Sequence, residues 1–169
     1  MLEKLKQEMI KYFEGDPKRI QHFIKVYFFC EMIGKSEQLS EQEMFVLLSA
    51  ALTHDIGVKR AEELFGSTNG KFQEALGPSI ARELLTKLEF DTYTIERICF
   101  LIAHHHTYDN IKNKDYQILV EADFLVNLYE DGVSDVAVNS AREKIFKTEM
   151  GKSILDTMFK NNVDFDGIG

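Results

Sequence analysis

The most apolar run of the chain, MFVLLSAAL from Met44 to Leu52, stops two residues short of a histidine and an aspartate set side by side, His54 and Asp55. Ser40 and Glu43, three apart, carry the signature of a capping box that opens a helix just ahead of this run. The segment LLSAALTHDIG therefore begins as a buried helix and ends by delivering two titratable groups into the interior. Burying them without partners costs roughly several kcal/mol. Any fold open to this chain has to bring compensating groups to that corner.

The remaining pattern is helical almost throughout. In DPKRIQHFIKVYFFCEMIG, Asp16 reads as an N-cap, Pro17 as the first helical residue and Gly34 as the stop. Ile20, Phe23, Ile24, Tyr27 and Phe28 recur at helical spacing and read as its buried stripe. The polar, glycine-bearing stretch FGSTNGKFQEALGP reads as a loop with a short helical turn, a candidate lid from Phe65 to Gly77, and Pro78 as the start of the helix PSIARELLTKLEF. Asp91 caps TYTIERICFLIAHHH, with Ile95, Ile98, Cys99 and Ile102 on one face. DYQILVEADFLVNLYEDG forms a further helix ended by Gly132, and two weaker helical segments cover 134–146 and 148–160. The tail NNVDFDGIG reads as loose. No segment reads as a strand, repeat or linker, so the expectation is an all-α fold in a single domain spanning 1–169, with its motif-bearing core over 16–131.

Charge and composition narrow the function. The 169 residues suffice for one domain with a substantial core, and the net charge of −8 repels extended DNA or RNA. A small anionic substrate stays open, because a local cation reverses the field inside a pocket. The N-terminus MLEKLKQEMIKYF lacks the unbroken apolar stretch of a signal peptide, and the nine-residue apolar run is too short to span a membrane. Cys30 and Cys99 lie far apart in apolar helical contexts and read as buried reduced thiols, which points to the cytoplasm.

Four polar residues fall within or beside apolar helical segments: His22, His54, Asp55 and Asp123. Two imidazoles and two carboxylates suit one divalent cation, with manganese, iron, cobalt, nickel or zinc favoured and magnesium also compatible. Ligands on separate helices can converge inside a bundle. Their order, His22, then His54–Asp55, then Asp123, resembles the H…HD…D signature of the HD-domain superfamily of metal-dependent phosphohydrolases. DPKRIQHFIKV, ALTHDIG, GPSIARELL, ICFLIAHHH and LVEADFLVNL resemble that family's segments in their expected order, over Asp16 to Asp131.

The resemblance implies a helical bundle with a metal site between helices, and hydrolysis of a small phosphate ester, most of all a nucleotide, by a metal-activated water. Asp55 would orient that water. Among His104, His105 and His106, three consecutive residues cannot all face one ion, and His104 and His105 are the candidates for contact with the site. Arg19 and Lys59, each about one turn from a ligand, are the candidates for holding substrate phosphate, with Arg82 a weaker one. Gln73 stands where some two-metal members carry a histidine, which implies a single tightly held ion; its neighbour Glu74 is a candidate for contact with the water. Tyr108 and Tyr116 are candidate rim residues, while the other aromatics read as core. The rival expectation is a non-catalytic metal-binding sensor or interaction module. If the four residues hold a resident cation, chelation lowers the melting temperature, whereas a metal-free polar network leaves it unchanged; a thermal melt with and without chelator distinguishes them.

Overall fold

Caps written in the sequence set most of the helix starts. The computed structural model describes residues 1–160 and contains nine α-helices over them: α1 (Leu2–Tyr12), α2 (Pro17–Ser36), α3 (Glu41–Thr53), α4 (Val58–Phe65), α5 (Gly70–Lys87), α6 (Thr92–Ile102), α7 (Lys114–Glu130), α8 (Asp135–Lys144) and α9 (Glu149–Met158). Asp16 accepts from Arg19 N, with Pro17 in the first turn, and Asp91 accepts from Thr94 N. Ser40 and Glu43 form the full reciprocal capping box at α3. The proposed loose tail, 161–169, lies outside the described residues.

Helix α3 runs through the middle of the bundle, packed by α1, α2, α6 and α7, and every residue from Val46 to Thr53 is buried. Its two hydroxyls are satisfied within the helix, Ser49 donating to Phe45 O and Thr53 to Ser49 O, so this segment crosses the core without an orphaned polar atom. At its C-terminal end the chain turns through His54–Gly57 into α4, an eight-residue helix with Gly66 in the left-handed region behind it (φ 59°). The periodicity of the sequence did not separate α4 from its surroundings.

Two expectations need correction. The segment 65–78 is mostly helix: Asn69 caps Lys71 N, α5 starts at Gly70, and Pro78 sits inside it. The reason lies in how α5 meets the turn after His54. A Cβ at Gly57 would stand 2.8 Å from Gln73 O and Gly77 N, so this close approach requires the regular backbone of the first half of α5. Only residues 66–69 lie between α4 and α5, and Phe65 stacks on Phe72 at 4.3 Å across them, which leaves little of the expected lid. The second correction concerns α2, whose buried face is His22, Phe23, Val26, Cys30 and Ile33. Ile24 and Phe28 are 42% and 55% exposed and border a shallow apolar groove with Leu125, Tyr129 and Met158. Turning His22 inward rotates those two residues off the core.

The C-terminal helices are fastened through one buried charge. Glu121, fully buried on α7, accepts from Lys147 N (2.6 Å) and Thr148 N (3.0 Å), from the Thr148 hydroxyl, and from Gln117 Nε2 (2.7 Å). Its carboxylate thus sits at the N-terminus of α9, where the helix dipole favours a negative charge. Among the described residues, no helix is long and apolar enough to cross a membrane.

Gly151 faces this carboxylate, and a Cβ there would collide with Glu121 Oε2 and Thr148 Oγ1. Gly151→Ala is expected to destabilise the fold by about 2–4 kcal/mol, because it forces a buried carboxylate off its donors. Chemical denaturation of the variant beside the wild type measures this.

Candidate metal centre

Three imidazoles are held the same way. His54, at the C-cap of α3 with helical backbone angles, is fully buried, and its Nδ1 lies 2.9 Å from Ala51 O. His105, in the turn after α6, places Nδ1 2.7 Å from Ile102 O. On α2, His22 places Nδ1 3.1 Å from Glu130 Oε2. A ring Nδ1–H donating outward fixes the tautomer and leaves the Nε2 lone pair facing inward. The inward atoms converge. His22 Nε2 is 3.2 Å from His54 Nε2, and Asp123 Oδ1 lies 3.2 and 3.5 Å from the two.

Asp55 spans this corner. Its Oδ2 stands 3.5 Å from His22 Nε2 and 3.6 Å from His54 Nε2, while Oδ1 reaches 3.3 Å to His105 Nε2. The structure thus brings His22, His54, Asp55 and Asp123 together. His22, His54 and Asp123 each offer a ligand atom within 4.8 Å of the others, and Asp55, His105 and His106 form a second such group.

Electrostatics carry the same message. Burial opposes charging of His54, but Asp55 and Asp123 outweigh it and raise its pKa to about 9. His22 is raised as well, with burial opposed by its hydrogen bond to Asp123 and the charge of Asp55. Burial works against ionising Asp55 and Asp123, yet the surrounding imidazoles hold both below the usual carboxylate range. Two anchored rings with lone pairs 3.2 Å apart need a positive charge between them, and a proton or a divalent cation supplies it. The nitrogen and oxygen donor set therefore fits such a cation.

Other predicted residues fall in different places. Arg19 lines the mouth of the cavity, paired with Asp16 and with Glu62 Oε1 at 2.6 Å. Lys59 is turned away: its Nζ donates to Tyr12 O at 2.9 Å and lies over the Tyr12 ring. The tight turn starts α4 at Val58, which faces the cavity and sends Lys59 toward α1. His104 also points elsewhere, stacked on Phe100 at 4.3 Å with Nδ1 2.7 Å from Phe100 O, because it still follows the last turn of α6. Arg82 pairs with Glu96 on the exposed α5–α6 face. Tyr116 is buried, its single hydroxyl proton shared between His104 O and Thr107 O, which ties down the turn, whereas Tyr108 lines the cavity. Glu74 Oε1 accepts from His106 N (3.0 Å) and the Thr107 hydroxyl (3.2 Å), so it shapes the same turn.

Sequence reasoning missed His106 and Glu130. Glu130 follows Asp123 by seven residues, two helical turns, and that spacing was the available signal. Gln73, as expected for a position facing the centre, is buried; Gln73 Oε1 and His106 Nε2 are both buried without a hydrogen-bond partner among the described residues. His22, Asp55, Gln73, His106 and Glu130 line a cavity of about 570 Å³, within the roughly 300–1,000 Å³ range of small-molecule sites.

The signs of these shifts give a pH profile for the metal-free protein. His54, raised from 6.5 to about 9, contributes stability that is fully present below pH 6.5 and is lost as pH rises through 9. Asp55, depressed from 3.8, contributes stability present above that value and lost as pH falls. Melting temperature in chelator is thus expected to peak between about pH 4 and 6.5. Cation uptake displaces the His54 proton, so apparent affinity rises from pH 6.5 to 9 and then levels off; metal titrations across that range check it.

Comparison with known proteins accords with this arrangement. Among curated proteins, none matches. A crystal structure of a predicted HD superfamily hydrolase from an uncultured Thermotogales bacterium superposes with a TM-score of 0.67 at 23% identity, covering 94% of this chain and 84% of that one; the likeness is one of fold. The sequence model of the HD domain matches residues 19–147, well over half of the chain. An all-helical bundle with its histidines and aspartates gathered between helices, matched along most of its length by that model, belongs to the HD domain family.

Proposed function

We propose that this protein is a metal-dependent phosphohydrolase acting on a small phosphate ester, a nucleotide above all, with His22, His54, Asp55 and Asp123 as the metal ligands. The observation that carries it is the common anchoring of His22, His54 and His105 through Nδ1, which turns three Nε2 atoms toward the Asp55 carboxylate. A core that needed only packing has no use for three oriented imidazoles converging on a carboxylate that lines an open cavity.

A divalent cation bound at this corner would lower the pKa of a water and offset the charge of a phosphoryl group. The protein's own part is positional. Asp55 Oδ1 orients the attacking water and takes its proton, and His105 Nε2, 3.3 Å away, receives that proton in turn. Glu130 and the Ala51 carbonyl keep His22 and His54 aimed at the corner, and at metal sites such outer hydrogen-bond partners support metal affinity. Arg19, at the rim, is the group we assign to a phosphate oxygen; its pairs with Asp16 and Glu62 fix its position. The free, buried thiols of Cys30 and Cys99 suit a reducing compartment, and we place the protein in the cytoplasm.

Elemental analysis of purified protein and assays with manganese, cobalt or nickel test this. One tightly held ion is expected; a second equivalent would assign the group formed by Asp55, His105 and His106. Asp55→Ala is expected to lower turnover at least about 100-fold with the helical circular dichroism retained. His104→Ala is expected to leave turnover near wild type. Bound metal without turnover on any phosphate ester would turn the assignment to a sensor or interaction module.

A further inference from the structure

Apart from Arg19 and Glu130, the outer half of the cavity has no part in the chemistry just described, and its charges are unusual for a site that takes a chain of phosphates. Carboxylates from Asp16, Glu130 and Asp131 line it, against the cations of Lys18 and Arg19. Arg19 is already committed to Asp16 and Glu62, and Glu130 to Lys25 and His22. Among the described residues lining the cavity, that leaves Lys18 against Asp131, with no surplus positive charge beyond the centre. A chain of two or three phosphates extending outward would meet carboxylates rather than cations.

The same region is built for a neutral, planar, hydrogen-bonding group. Asp123 and Asn127 on α7 and Asp131 at its C-cap follow one another at intervals of four, so one helical face leads from the metal corner to the mouth. The Asn127 side-chain amide makes no hydrogen bond with the other described residues, and it faces the cavity. Phe124, from the same helix, and Tyr108, from the turn after α6, stand edge to face with centroids 5.0 Å apart, both lining the cavity. Aromatic faces suit a planar ring, and a carboxylate suits a sugar diol.

Resting on the hydrolase reading, we propose that the substrate is a nucleoside monophosphate: its single phosphate lies at the metal corner, its ribose hydroxyls against Asp131, and its base on Tyr108 and Phe124 with an edge read by Asn127. In the reaction the bond from phosphorus to the ribose oxygen breaks as the water oxygen bonds to phosphorus. The water's proton ends on the nucleoside hydroxyl, giving nucleoside and inorganic phosphate. Nucleoside di- and triphosphates are turned away by the carboxylates lining the outer cavity.

The test compares kcat/KM for AMP, ADP, ATP and ribose 5-phosphate with manganese present. AMP is expected to exceed ATP by about tenfold or more, and Asp131→Lys to narrow that gap by raising the ATP value. Asn127→Ala and Tyr108→Ala are expected to lower the AMP value about tenfold while changing ribose 5-phosphate, which has no base to stack or read, less than about twofold. Wild-type parity between ATP and AMP, or equal losses on both monoesters in those variants, would overturn the proposal. Should no ester turn over while metal is bound, the hydrolase reading fails by itself. Calorimetric binding of AMP and ATP to the metal-loaded protein then decides the selectivity, tighter binding of AMP supporting it and equal or weaker binding refuting it.

Discussion

Mutual repulsion at a buried corner governs much of this structure. Two ring nitrogens, each fixed by a hydrogen bond on its far side, face one another 3.2 Å apart, with carboxylates of Asp55 and Asp123 beside them. Such a grouping is stable only with positive charge at its centre, and the chain invests helices α2, α3 and α7 in holding it together. The aspartates lower the cost of a proton on the rings, and the rings lower the cost of ionising the aspartates. The polarity that looks costly in the sequence is therefore balanced only as a set. Removing one member leaves the others exposed to the full penalty of burial.

Much of this was legible before any coordinates. The capping residues Asp16, Ser40 and Asp91 named their helices because cap chemistry is local. Helical spacing with interrupting polar residues singled out His22, His54, Asp55 and Asp123 because an apolar helix has few other reasons to carry them. What failed was whatever depends on how one helix turns against another. The assignment of Ile24 and Phe28 to the core had the right period and the wrong phase, since the inward direction of α2 is set by where His22 has to point. Lys59 and His104 lie within a turn of site residues in sequence, but a tight turn and a last helical turn send them to other faces. The early start of α5 was hidden because polar composition and glycine mimic a loop, and only the backbone contact with Gly57 explains it.

That contact gives the centre its stiffness. Gly57 lets the turn after Asp55 press against the backbone of α5, and Gln73, held by its amide to Thr68 O, enters the cavity from the same stretch. Glu74, one residue on, grips the turn that carries His105 and His106. The position of Asp55 and the aim of the neighbouring histidines thus share one support, a short piece of α5. Sites gain precision when their side chains stand on elements locked in this way.

Glu121 has a consequence of a different kind. It stands two residues ahead of Asp123 on α7, and its carboxylate is the peg on which the start of α9 hangs. Helices α8 and α9 offer no side chain to the cavity, yet the rotation of α7 about its own axis is pinned from their side. The angle at which an inward carboxylate meets two imidazoles is consequently regulated by a remote anchorage. The last stretch of the bundle works as a tuning key for a string it never touches.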